Sequence, residues 1–217
     1  MRIEVYYHCQ LSGERLPPTD YPVSLMHFQM DALKRSGLAD AADEIHICVN
    51  GGDSDALSAC SLAPSKSILH VHREPSSTEL PTLNVLRNSL KPDTAVLYHH
   101  IKGVTKPGDP LWDAWRGCME RACVWNWRQC HDLLSHGYDS VGCHWLTPER
   151  FPGNVTSPFW GGNFWWARSD YLARLPGLAA DKWENRYEAE SWSGRGIPRP
   201  AVMDFHPQWP GMGCAQT

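Results

Sequence analysis

Two hydrophobic periodicities alternate along the first hundred residues. Short runs rich in β-branched and aromatic residues predict strands, and segments with apolar residues three or four positions apart predict helices. The predicted strands are Arg2–Cys9, Ile45–Val49, Ile68–His72 and Thr94–Tyr98, and the predicted helices are Tyr21–Ala42, Asp53–Cys60 and Glu79–Leu90. This order predicts βαβ units, and therefore an α/β fold with a mostly parallel central sheet flanked by helices.

The strand Thr94–Tyr98 changes character at its carboxyl end. It is apolar and β-favouring, as expected of a buried central strand, and it leads directly into His99, His100, Lys102 and Gly103. Ligands of open α/β sheets bind outside the carboxyl ends of the strands. The sequence therefore predicts a ligand site at this point of the chain.

Two other predicted strands also end in polar side chains. Tyr7 and His8 end the first strand, and Arg73 follows the third. If these ends meet at the same edge of the sheet, the three side chains are candidates for contact with a base, a ribose or a phosphate.

The second half begins with a long helical pattern and continues with an aromatic segment. A helix is predicted over Leu111–Ser135, where Trp and Cys residues recur at helical spacing and are interpreted as core. A strand over Ser140–Trp145 follows, and then Phe159–Ala167, in which paired glycines precede Asn163, Trp165 and Trp166. Flat rings beside an amide side chain are typical of a surface that binds a sugar.

Size and charge restrict the function. A chain of 217 residues predicts one domain with a full core. Its net charge of -4, with scattered Lys and Arg, argues against a nucleic-acid partner. Eleven Trp in so short a chain favour concave surfaces for flat or amphipathic ligands, of which sugar rings are one kind.

The cysteines and the amino terminus indicate the compartment. Eight cysteines occur without a CxxC pair or a regular framework, and residues 1–5 lack the apolar run of a signal peptide. We therefore expect a cytoplasmic protein with free thiols. No window has the uninterrupted apolar length of a membrane span.

Four separated motifs resemble those of a known family. They are Tyr98–Gly103, Gly137–Cys143, Gly162–Ala167 and Glu190–Trp192, and together they look like a group of small bacterial and viral glycosyltransferase-like proteins of the GT-A fold. The resemblance implies a GT-A-like domain over residues 1–217. Its residues 1–103 would bind a nucleoside diphosphate sugar, 104–193 would meet a glycan or other hydroxyl acceptor, and 194–217 would form an irregular tail.

The sequence departs from that family at the end of the strand Thr94–Tyr98. Many GT-A enzymes carry an Asp-x-Asp there that holds a divalent cation on the donor diphosphate, whereas this chain has His99-His100-Ile101-Lys102. A Lys ammonium can neutralise a leaving diphosphate without metal, which makes Lys102 the first candidate. His99 or His100 would be a proton donor, a neutral hydrogen-bond donor or a soft-metal ligand, and a divalent cation, Mn²⁺ or Mg²⁺, stays open as a cofactor.

Transfer to a hydroxyl also needs a general base near the acceptor. Glu190 is the first candidate and Glu188 the second. Gly162, Asn163 and either Trp165 or Trp166 would then orient the acceptor, and a single base favours inversion at the anomeric carbon.

Two other functions remain open at this stage. One is a catalytically inactive nucleotide-sugar-binding or carbohydrate-binding module of the same fold, which the missing Asp-x-Asp favours. The other is a metal-dependent hydrolase built on histidines, although their spacing matches no compact ligand motif. The histidines concerned are His8, His70, His72, His99, His100 and His144.

Overall fold

The front half of the molecule is a parallel sheet joined by helices. The structure, a computed structural model, describes residues 1–13, 16–17, 19–73, 79–149, 157–178 and 186–206, with the backbone alone for 186–188. The strands are β1 (Arg2–Gln10), β2 (Glu44–Asn50), β3 (Ser67–His72) and β4 (Thr94–His100). The helices between them are α1 (Tyr21–Arg35), α2 (Leu38–Ala41), α3 (Asp53–Leu62) and α4 (Leu80–Ser89). Each predicted strand is thus present, and the predicted first helix is divided at Gly37, whose φ is 76°.

The back half extends the same sheet. Its helices are α5 (Pro110–Glu120), α6 (Trp127–Ser135), α7 (Ser169–Ala173) and α8 (Arg186–Ser191), and its strands are β5 (Ser140–Gly142), β6 (Trp145–Leu146), β7 (Phe159–Trp160), β8 (Trp165–Arg168) and β9 (Val202–Asp204). The seven-stranded sheet has the order β3-β2-β1-β4-β8-β5-β9, and β8 runs antiparallel to both of its neighbours. The prediction of a single-domain α/β fold with a mostly parallel sheet is confirmed.

Three local predictions were wrong. The helix predicted over Leu111–Ser135 is interrupted by a π-helical turn, Arg121–Trp125, which adds a residue to one turn. The strand predicted over Ser140–Trp145 is divided at His144, where φ is 65°. The tail after Gly194 is not irregular throughout, since β9 pairs in parallel with β5.

Helices cover both faces of the sheet and create two cores. Because side chains alternate along a strand, Tyr7 packs on the side of α1, α3 and α5, whereas Tyr6 packs on the side of α4, α7 and α8. In β4 the same alternation places His99 and His100 on opposite faces. Among the described helices, none has the length and apolar character required to cross a bilayer.

Candidate active site

A cavity of about 250 Å³ lies beyond the carboxyl ends of β1 and β4. Its lining includes His8 from β1, His100 from β4, Lys102 just after β4 and Trp112 from α5. Two carboxylates also line it, Glu79 before α4 and Glu190 in α8. The structure thus brings four of the predicted site residues together, namely His8, His100, Lys102 and Glu190.

Glu79 is a functional candidate that the sequence reasoning missed. One oxygen, Oε2, accepts hydrogen bonds from the hydroxyl of Tyr98 at 2.8 Å and from Nδ2 of Asn163. The other, Oε1, lies 3.6 Å from Nδ1 of His100. The sequence predicts only a helix start at Glu79, and the one available signal was this position at the amino-terminal end of a helix. Its carboxylate therefore connects α4, β4 and the Gly162–Ala167 segment.

His100 lies between two oxygen acceptors. Its Nε2–H donates to the carbonyl of Gly162 at 2.8 Å, and Nδ1 faces the carboxylate of Glu79. The ring also packs edge-on against Phe164, with 5.7 Å between centroids. Gly162 was predicted to contact the acceptor, but its carbonyl is taken by His100, and its φ of 88° is one that glycine tolerates best.

Lys102 holds a buried positive charge at the wall of the cavity. Its Nζ lies 4.4 Å from the ring centroid of Trp115 and 5.3 Å from that of Trp112, and the residue is 8% exposed. The ring faces stabilise an ammonium group that has lost much of its hydration. Nη1 of Arg116 donates to the carbonyl of Lys102 at 3.1 Å and fixes the backbone. Trp112, interpreted as core from the sequence, thus lies at the cavity.

His8 reaches the cavity as a neutral imidazole. Its Nδ1 is hydrogen-bonded to the hydroxyl of Thr82 at 2.7 Å. Burial lowers the pKa of His8 to about 4, and the nearby carboxylate of Glu79 opposes this effect only in part. At neutral pH His8 can therefore donate or accept a hydrogen bond, but it adds no charge.

Two residues predicted to bind the donor lie in the core instead. Tyr7 is fully buried, and its hydroxyl donates to Oε1 of Gln29 at 2.7 Å. His99 packs between Tyr7 and Phe164, and burial lowers its pKa to about 3. Both side chains point away from the cavity because odd positions of β1 and β4 face the α1 side of the sheet.

The aromatic pair predicted to bind a sugar is also internal. Trp165 stacks on Tyr98 with 5.1 Å between ring centroids, and its Nε1–H donates to Oδ1 of Asn163 at 2.6 Å. Nε1–H of Trp166 donates to the carbonyl of Cys123 at 2.8 Å. Both indoles are completely buried, so neither can stack on a ligand. Asn163, whose φ is 57°, accepts from Trp165 and donates to Glu79. It therefore links the buried indole to a carboxylate of the cavity.

The last two predicted residues lie elsewhere. Arg73 follows edge strand β3, is largely exposed, and pairs with Asp53 at 2.6 Å. It does not line the cavity that contains Lys102. The side chain of Glu188 lies outside the described residues.

Among the described residues, the side chains that line the cavity do not form a group of three metal ligands with converging atoms. The one group of three His, Cys, Asp or Glu side chains found in the described ranges with converging ligand atoms is Glu4, Glu44 and His46, near the amino ends of the strands. The histidines proposed for a hydrolase do not form such a group. We therefore derive no catalytic step through a metal ion.

Comparisons with solved structures agree with the fold. HddC from Yersinia pseudotuberculosis has a TM-score of 0.52 and 11% identity, over 95% of this chain and 90% of that chain. A protein from Desulfovibrio desulfuricans G20 described as a nucleotide-diphospho-sugar transferase has a TM-score of 0.49 and 11% identity, over 95% and 80%. A 4-diphosphocytidyl-2C-methyl-D-erythritol synthase has a TM-score of 0.43 and 12% identity, over 94% and 89%.

No protein-family model and no curated protein matches the sequence. At identities this low, the structural similarity to HddC establishes the type of fold and no more.

Proposed function

We propose that the protein is a glycosyltransferase that moves a sugar from a nucleoside diphosphate sugar to an acceptor hydroxyl. The observation that carries the proposal is a buried ammonium, that of Lys102, in the same cavity as the carboxylates of Glu79 and Glu190. A positive charge suits the leaving diphosphate, and a carboxylate suits the hydroxyl that attacks.

Lys102 is proposed to stabilise the diphosphate as the glycosidic bond breaks. Its charge lies in a cavity at the carboxyl edge of the sheet, where ligands of such sheets bind. Because the two Trp rings already replace part of its hydration, the ammonium is preorganised for a phosphate oxygen. Nε2 of His100 is engaged by Gly162, so we assign His100 to shaping the site together with Glu79.

Glu190 is proposed as the general base. It is 9% exposed and lines the same cavity as Lys102. A carboxylate in this position can take the proton of the attacking hydroxyl. Glu188 is kept as the second candidate. A single base predicts inversion at the anomeric carbon.

The test is a binding and turnover assay on purified protein. Thermal shift against a panel of nucleoside diphosphate sugars, with Mn²⁺ and with chelator, would identify the donor, and chromatography would then measure nucleoside diphosphate release. We expect Lys102→Met to lower turnover roughly a hundredfold, the scale of losing one charge-stabilising group. Lys106→Met is the matched control, because Lys106 is exposed in the same loop.

A substitution of Glu190 provides a second test. Glu190→Gln is expected to abolish turnover while donor binding persists, and a normal rate in this variant would remove Glu190 as the base. If every donor fails to shift the melting temperature, the transferase proposal fails.

A catalytically inactive binding module is the second candidate. The missing Asp-x-Asp favours it, since His99-His100-Ile101-Lys102 stands where many GT-A enzymes hold a divalent cation on the donor. Binding of a nucleotide sugar without release of its diphosphate, tested with a range of glycan acceptors and with water, would support this candidate.

A further inference from the structure

A second polar cluster lies at the opposite end of the strands from the cavity. It consists of Glu4 on β1 with Glu44 and His46 on β2, and their ligand atoms all lie within 4.8 Å of one another. The register explains the convergence, because Glu4 pairs with Glu44 and Tyr6 pairs with His46 in adjacent parallel strands. All three side chains therefore project from the same face of the sheet.

Neighbouring groups hold two of these side chains in fixed orientations. The hydroxyl of Tyr6 donates to Oε2 of Glu4 at 3.0 Å, and its ring stacks on His46 with 4.3 Å between centroids and 3° between planes. Nδ1 of His46 lies 3.0 Å from Nε2 of His70, so one of the two nitrogens donates to the other. Supporting contacts of this kind orient the ligands of metal sites.

Two buried polar atoms of the cluster lack a hydrogen-bond partner within the described part of the chain. Oε1 of Glu4 and Nε2 of His46 have no hydrogen-bond partner among the described residues, although Glu4 is 0% and His46 3% exposed. Buried polar atoms without partners are costly and usually indicate a missing water or ion. Two such atoms facing one carboxylate favour a cation.

The tautomer of His46 decides whether its Nε2 can bind a cation. When Nδ1–H donates to His70, the lone pair of Nε2 faces Oε2 of Glu44 at 3.3 Å. In this tautomer Nε2 can bind a cation shared with Glu44, whereas in the other tautomer Nε2–H donates to Glu44 and Nδ1 accepts from His70.

A lysine and an arginine already bring positive charge to the edge of this cluster. Nη2 of Arg2 lies 3.4 Å from Oε1 of Glu44, and Nε of Arg2 lies 4.0 Å from Oε1 of Glu4. The ammonium of Lys91 contacts Glu44 and lies 3.6 Å from Oε1 of Glu4. Its side chain is 40% exposed and follows α4, so it can turn toward water. A metal ion would take over its role as counter-charge.

We propose that Glu4, Glu44 and His46 bind one zinc ion, with Lys91 turning outward. An imidazole with carboxylates is a zinc donor set, whereas Mg²⁺ and Ca²⁺ prefer oxygen alone. Bonds of about 2.0–2.2 Å require ligand atoms roughly 3.4 Å apart, so the cluster must contract. Glu44, the most exposed of the three, can provide that movement, and water would complete the tetrahedron.

The test measures zinc affinity directly, by competition with a chromophoric chelator. Wild-type protein is expected to bind one zinc ion at this cluster, and His46→Ala is expected to bind it at least about a hundredfold more weakly. His136→Ala is the matched control, since His136 is an exposed histidine on the surface and its loss should leave the affinity unchanged. Lys91→Met should bind about fivefold more tightly, because one competing charge is removed.

A second measurement keeps the test valid if His46→Ala does not fold. Glu44→Gln changes a partly exposed side chain, and we expect this variant to lose zinc as well. In a separate measurement, Co²⁺ bound to wild-type protein should give the visible absorption of a tetrahedral site. Zinc that binds equally well to Glu44→Gln would overturn the proposal. Zinc that binds only after Lys91 is replaced would overturn it too, because Lys91 would then be the permanent cation of the cluster.

Discussion

Glu120 should make the stability of this protein fall as the pH rises toward neutrality. The residue is 3% exposed, it accepts a hydrogen bond from Nε2 of Gln29 at 3.1 Å, and it lies 4.0 Å from Nε of Arg116. Burial raises the pKa of Glu120 from 4.5 to about 7, and the Gln29 hydrogen bond and the Arg116 charge only partly oppose it. The folded protein therefore retains a proton that the unfolded chain releases.

The direction and size of the effect follow from proton linkage. Between pH 4.5 and about 7 the folded state binds more protons, so the contribution of Glu120 is fully present below pH 4.5 and is lost by about pH 7. At about 1.4 kcal/mol per pH unit, this interval corresponds to about 3 kcal/mol of unfolding free energy.

The perturbation is Glu120→Gln, which keeps the shape and a hydrogen-bond acceptor but cannot ionise. Urea denaturation at pH 5 and pH 8 should show a variant close to wild type at pH 5 and up to about 3 kcal/mol more stable at pH 8. Asp31→Asn is the control, since Asp31 is a half-exposed carboxylate that pairs with Arg35 on the surface. A Gln variant less stable than wild type at pH 8 would refute the reasoning, because it would mean that Arg116 holds Glu120 ionised.

Two further substitutions test the packing of the candidate site. Gly162→Ala should lower the free energy of unfolding by about 1–3 kcal/mol in urea denaturation. Gly162 has a positive φ, and an added Cβ would overlap the sulfur of Met119. Gly117→Ala, with open space around the added Cβ, is the control and should be neutral or stabilising. Trp112→Leu should weaken nucleotide-sugar binding in calorimetry by roughly threefold to tenfold through the lost contact with Lys102, and equal affinities in Trp112→Leu and wild type would contradict that role.

The sheet was predictable because its strands are locally encoded. Thr94–Tyr98 is composed of apolar and β-favouring residues, and Ile45–Val49 is apolar except for His46, as is typical of strands covered on both faces. The structure has β4 and β2 at these positions. Local pattern could not reveal the π-helical turn at Arg121–Trp125, because one added residue leaves the apolar spacing almost unchanged.

The site was predictable only in part, for a geometric reason. Position at a strand end identifies an edge of the sheet, but it does not say which face a side chain takes. His100 and Lys102 reach the cavity, whereas His99 is turned into the core by the alternation of β4. Glu79 was missed because its role depends on Asn163, which lies 84 positions away in the chain.

The residues that did not reach the cavity nevertheless support it. Tyr7 donates to Gln29, and Nε2 of Gln29 donates both to the carbonyl of His100 at 3.2 Å and to Glu120. Arg116, beside Glu120, donates in turn to the carbonyl of Lys102. This buried network fixes the backbone on both sides of Ile101, so that the imidazole and the ammonium are positioned before any ligand arrives. The proposed glycosyl transfer would require preorganisation of this kind, since groups already in place need no reorganisation when charge develops on its leaving diphosphate.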